Sequence, residues 1–232
     1  MMPDRPREHY WTALGRTLVF LLASTSIACL LLDFYGVCPM RRFTLWVFLP
    51  AVAGLFGWAL RDKTLGDGEL WRAVWIGVLG GLLAAIAYDL FRLPFVFARQ
   101  WGIDAIFPAL NLFKVFPQFG AKILGGPIDQ GSDSLAAQLI GWAYHLSNGA
   151  SFGVMYLALV GNPTRRHWSW AVAFALALEI GMLLTPYSAV FAIPLTARFV
   201  IVTVLAHALF GAVLGRTARA FGVAAGRMSA AT

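Results

Sequence analysis

Six apolar runs, at about residues 17–35, 43–60, 71–92, 135–160, 168–185 and 196–215, constrain this chain more than any motif in it. A helix that crosses the ~30 Å hydrocarbon core of a bilayer needs about 20 predominantly apolar residues, and each run is near that length. The implied fold is all-α: one polytopic membrane bundle over residues 1–232, with about six transmembrane helices. Only 12% of the residues are charged, against about 25% in a soluble domain, and no separate soluble domain is visible. A net charge of +7 would otherwise point to nucleic acid. The basic residues lie mostly between the apolar runs, however, where they set topology. The bilayer is therefore the expected partner and nucleic acid is not; other membrane subunits or further copies of the chain stay open.

Lysine and arginine sort by side. The N-terminal tail, the 61–72 and 161–167 loops and the C-terminal tail hold eleven: Arg5, Arg7, Arg16, Arg61, Lys63, Arg72, Arg165, Arg166, Arg216, Arg219 and Arg227. The other side holds seven, Arg41, Arg42, Arg92, Arg99, Lys114, Lys122 and Arg198, over much more loop. Positive charge stays on the cytoplasmic side, so both termini are expected there. Trp11, Trp58, Trp71, Trp75, Trp168 and Trp170 fall at the same ends, as an interfacial aromatic belt would. Arg5, Arg7 and Arg16 ahead of Leu18 resemble a signal peptide, but the apolar run outlasts a signal core, so it reads as an uncleaved first span. Cys29 and Cys38 sit ~13 Å apart along a continuing helix, too far for a disulfide. Pro50 should kink the second run. Residues 93–134 are apolar but broken by Pro94, Pro108, Pro117 and Pro127, which predicts an interfacial or re-entrant segment on the outer side.

Four runs carry a stripe of small residues ending in an ionisable group. His145 is followed at four-residue steps by Gly149 and Gly153, and His207 by Gly211 and Gly215. Gly77, Gly81 and Ala85 lead to Asp89; Ala171 and Ala175 lead to Glu179. Residues four apart share a helix face, and small residues let helices approach closely in lipid. At 1.5 Å per residue, His145 lies ~15 Å, His207 ~16 Å and Glu179 ~9 Å below the outer ends of their runs. Such groups cost at least a few kcal/mol each unless they face partners or a wet cavity. The four are expected to meet, with Asn148 one turn inward of His145 and with Arg92 and Arg198 near an outer mouth.

Three chemistries suit that set. The leading expectation is a metal ion or haem held by His145 and His207, with Glu179 as third ligand or supporting base and Asp89 and Asn148 behind them. The second is a small proton- or ion-coupled permease in which the same side chains titrate. The third is structural: His–acid and Asp89–Arg pairs that only hold helices together, in an accessory subunit of a membrane complex. No H-E-x-x-H, phosphate-binding glycine loop or G-x-S-x-G motif occurs, and no lysine falls within a span, so a retinal Schiff base is not expected.

Residues 140–220 resemble the YagU-like family of bacterial inner-membrane proteins. The match rests on Gly141-x3-His145 with Phe152 and Tyr156, on Leu184-Thr185-Pro186, and on Ala206-His207 in a last helix ending in arginines. The resemblance implies location in the inner (cytoplasmic) membrane and a multi-pass topology; it brings no chemistry with it.

Overall fold

The computed structural model describes residues 8–128 and 134–230, with side chains described as far as residue 225. Arg5 and Arg7 lie outside the described residues, and so does the side chain of Arg227. The long elements are α1 (Ala13–Phe34), α2 (Met40–Leu65), α3 (Glu69–Val96), α4 (Val115–Leu124), α5 (Leu135–Val160), α6 (Ser169–Leu183) and α8 (Ala197–Ala230); α7 (Tyr187–Val190) is one turn. The chain is 77% helical, with no strand among the described residues. Backbone polar groups are thus satisfied within their own helices, as lipid demands.

Four helices, α1, α2, α3 and α8, are long and apolar enough to cross a bilayer. The helix α5 has the length, at 26 residues, but carries Gln138, His145, Ser147, Asn148 and Ser151. It can do so because it is the central helix, packed against α1, α3 and α4. The helix α6 is apolar but only 15 residues long, about 22 Å.

The bundle is small inside and large outside. On α3, Leu79, Leu83, Ile86 and Leu90 are exposed along one stripe. The opposite stripe, Gly77, Gly81 and Ala85, is buried. A Cβ on Gly81 would strike the Gly149 carbonyl oxygen, and one on Gly153 the Gly77 carbonyl oxygen. Here α3 and α5 cross backbone to backbone. Gly120 and Gly141 join α4 to α5 in the same way, and Gly211 and Gly215 seat α8 on the start of α6.

Pro50 leaves a local mark on α2. It cannot donate to the carbonyl four residues back, and its ring crowds that carbonyl. The helix responds by widening to a π turn over Thr44–Phe48, with Leu49 N–H bonding to Thr44 O. Pro94, expected to lie beyond the third span, sits inside α3, which runs on to Val96.

The outer segment turns irregularly through residues 97–114 and then forms α4. This helix buries Val115, Phe116, Gln118, Phe119, Gly120 and Ala121. Its C-terminal end is pinned by Lys122 to Asp33 of α1 at 2.6 Å. At the other end of the bundle, the fully buried Asp62 of α2 accepts from Gly68 N at 3.3 Å and Trp71 N at 3.0 Å, capping the start of α3.

Candidate functional site

Three positions on α3 build one wall. Tyr88, Asp89 and Arg92 lie within a single turn, just beyond the glycine crossing. That crossing brings His145 of α5 opposite Asp89. The imidazole Nε2 lies 2.9 Å from Asp89 Oδ2 and 3.2 Å from Oδ1, so an Nε2 proton is donated to the carboxylate. Phe116 of α4 stacks on the same imidazole, centroids 4.0 Å apart, and Trp142 meets it edge-on at 5.8 Å.

A second pair forms where α6 meets α8. Glu179 is 5% exposed, and its Oε2 lies 3.2 Å from His207 Nδ1. The same nitrogen lies 2.9 Å from the Thr203 carbonyl. With two acceptors facing it, Nδ1 carries the proton, and Nε2 is the atom left to gain or lose one. Tyr88 stands between the two pairs, its ring 6.0 Å from the His145 ring and 4.9 Å from that of His207.

Arg92 is 4% exposed. Its guanidinium donates to Leu112 O and reaches Asp89 Oδ1 at 3.5 Å. It also sits over the rings of Tyr88, Phe113 and Phe116 at 4.6–5.4 Å. Desolvated cation–π contacts of this kind contribute about 2 kcal/mol. Tyr88, Arg92, Phe116, His145, Glu179, Thr203 and His207 line one cavity of about 130 Å³, whose walls also include Asn148, Phe119, Phe152, Phe199 and Phe210; Asp89, Phe113 and Trp142 are not on that lining.

The structure thus brings His145, His207, Glu179, Asp89, Asn148 and Arg92 to one place, as two His–carboxylate pairs rather than one knot of ligands. Arg198 is not with them: it is exposed and forms no ion pair among the described residues. It lies one residue past the start of α8 and is not on the cavity lining, leaving Arg92 as the site's cation. Sequence reasoning passed over Tyr88, Thr203 and Tyr187. Tyr88 adjoins Asp89 and precedes Arg92 by four, and Thr203 precedes His207 by four, so helical spacing was the available signal for both.

Among the described residues, the one group of three acidic or imidazole side chains with donor atoms within 4.8 Å of one another lies elsewhere. It is His9, Asp67 and Glu69, at the opposite end of α3. His9 pairs with Asp67, and Asp67 Oδ1 also accepts from Glu69 N at 3.0 Å. The Asp67 hydrogen bond and charge push the exposed His9 above its ordinary value. Burial pushes Asp67 up, but the hydrogen bonds from His9 and Glu69 N–H outweigh it and leave the carboxyl below its ordinary value.

Comparison with protein-family models, with characterised proteins and with solved structures finds no match to this chain.

Proposed function

We propose that the chain is a small proton-coupled permease of the bacterial inner membrane, with both termini cytoplasmic. In this reading α5 and α6 join α1, α2, α3 and α8 as six spans. The polar centre of α5 is sheltered by its neighbours, and α6 reaches the outer surface with the help of Leu184–Thr185 and α7. The helix α4 is re-entrant. Irregular backbone at membrane depth is tolerated where protein covers it or it lines a cavity, and Asn111, Leu112, Val115 and Phe116 do line one. The resemblance of residues 140–220 to YagU-like inner-membrane proteins fits the same location.

The observation that carries the reading is the pair of His–carboxylate contacts on either side of Tyr88, facing one cavity. Two imidazoles, each with a carboxylate to stabilise its charged form, give two places to load and unload a proton beside a bound solute. A single metal shared by His145 and His207 gains less support. Nε2 of His145 and Nδ1 of His207 are both committed to carboxylates, and a tyrosine ring lies between the imidazoles. A haem fits worse still. The 130 Å³ cavity is below the ~300 Å³ lower end of pockets for drug-sized ligands, and Phe116 covers one face of His145.

The test is proton entry into pyranine-loaded proteoliposomes on addition of a panel of small organic acids, amines and sugars. At least one class should trigger entry in the wild type, and Glu179→Gln and Asp89→Asn should abolish it. A panel that triggers nothing, with a stable protein, would refute the permease and leave the structural reading.

A further inference from the structure

Two polar atoms in the cavity wall have no partner. Arg92 Nε is a buried donor without an acceptor, and Asn148 Oδ1 is a buried acceptor without a donor. Arg92 is 4% and Asn148 6% exposed, and both residues line the cavity. An orphaned buried polar group costs about 1–3 kcal/mol, more when charged. Two of them in one chamber, in a bundle whose helices otherwise pack to backbone contact, call for an occupant.

The geometry sets the occupant's outline. Asp89 faces His145, so Arg92 lies one turn outward of that level and Asn148 one turn inward. In a helix the Cα–Cβ bond tilts toward the N-terminus. The helix α3 starts at the inner end and α5 at the outer end, so Arg92 leans inward and Asn148 outward. The two orphans thus flank the Asp89–His145 level from opposite ends, both on the wall of the one cavity. Between them the walls are aromatic and aliphatic: Phe116, Phe119, Phe152, Phe199, Phe210 and Leu30. A closed cavity of about 150 Å³ takes one benzene; this one, of about 130 Å³, is partly open and also carries Glu179 and His207 on its wall, so it seats a single ring whose polar ends reach beyond it.

We infer that the chamber binds a small aromatic carboxylic acid that carries a hydrogen-bond donor opposite its carboxyl group. The carboxylate accepts from Arg92 Nε–H, the ring fills the aromatic middle, and the far donor bonds to Asn148 Oδ1. A guanidinium donor selects a charged acceptor, because such bonds are roughly twice as strong as neutral ones. This rests on reading the cavity as the permease's solute chamber.

The experiment is calorimetric titration of the purified full chain in lipid nanodiscs with three probes: 4-hydroxybenzoate, benzoate and 4-hydroxybenzyl alcohol. 4-Hydroxybenzoate should bind tightest. Benzoate should lose about tenfold for the missing donor, and the alcohol more for the missing charge. In Asn148→Leu the first two should bind alike. Ala175→Leu, which fills the chamber from α6, should abolish binding of all three. No binding of any probe, or binding unchanged in Ala175→Leu, would overturn the assignment. Equal affinity for the acid and the alcohol would overturn the role of Arg92. If amines or sugars drive proton entry and these acids do not bind, the solute class fails while the permease stands. If the acids bind and no proton moves, the permease fails while the binding assignment stands.

Discussion

The glycine crossing between α3 and α5 yields a prediction whose sign depends on the structure. Alanine is a better helix former than glycine by up to about 1 kcal/mol, so propensity alone says that Gly81→Ala stabilises. The structure says the reverse. The new methyl would collide with the Gly149 carbonyl oxygen and come within 3.1 Å of Ala150 Cα. Both are backbone atoms, which cannot rotate aside. Overpacking of this kind costs about 1–3 kcal/mol, so after the propensity gain the net effect is a loss of up to about 2 kcal/mol. Gly54, on the exposed face of α2, has nothing within 4 Å of its ideal Cβ. Gly54→Ala keeps the propensity gain without the collision. The two variants share that gain and should therefore separate by the collision cost, about 1–3 kcal/mol, or roughly 2–12 °C in midpoint for a chain of this size. Thermal unfolding in detergent, read by size-exclusion chromatography of heated aliquots, measures this. The reasoning fails if Gly81→Ala melts at or above the wild type, or if Gly54→Ala falls by as much.

Asp62→Ala removes a buried carboxylate that accepts two backbone N–H groups at the start of α3, and a loss of about 2 kcal/mol is expected in the same assay; Asp62→Asn, which keeps one acceptor oxygen, should lose less. The His9–Asp67 pair gives a pH signature. The raised His9 value means its contribution is whole below about pH 6.5 and fades as pH climbs through the higher folded value. The lowered Asp67 value means its contribution is whole above about pH 3.9 and fades as pH falls through the lower folded value. The pairing is thus fullest between those limits. An NMR titration of the His9 imidazole should have a midpoint above 6.5 that returns to the ordinary value in Asp67→Asn; an unshifted wild-type midpoint would refute the pairing.

Much of the architecture could be read from residue order. Apolar length located the helices, and four-residue spacing placed each small stripe on the same face as its ionisable group. What the order of residues leaves open is who meets whom. Asp89 and Glu179 were both within reach of either imidazole, and only the packing of α5 on α3 and of α6 on α8 assigns one acid to each. Arg92 and Arg198 are alike in sequence terms, yet the first packs among aromatic rings and the second is exposed. The π turn before Pro50 was legible only as a distortion of unknown kind. The packing of α4 on α5 was hidden too, because Gly120 and Gly141 lie in segments whose pairing no periodicity reveals.

The close backbone contacts also govern how such a chamber can open. Helices locked glycine to main chain cannot slide without breaking that contact, which ties α3, α4 and α5 to one another and α6 to α8. Each set holds its own His–carboxylate pair. The seam between them is of a different texture: a Cβ on Gly80 would meet the side chains of Thr217 and Leu214 at 3.2 and 3.4 Å, atoms that can swing. Parting that seam surrenders two aromatic contacts inside the chamber, the edge of Tyr88 against His207 and that of Phe152 against Phe210.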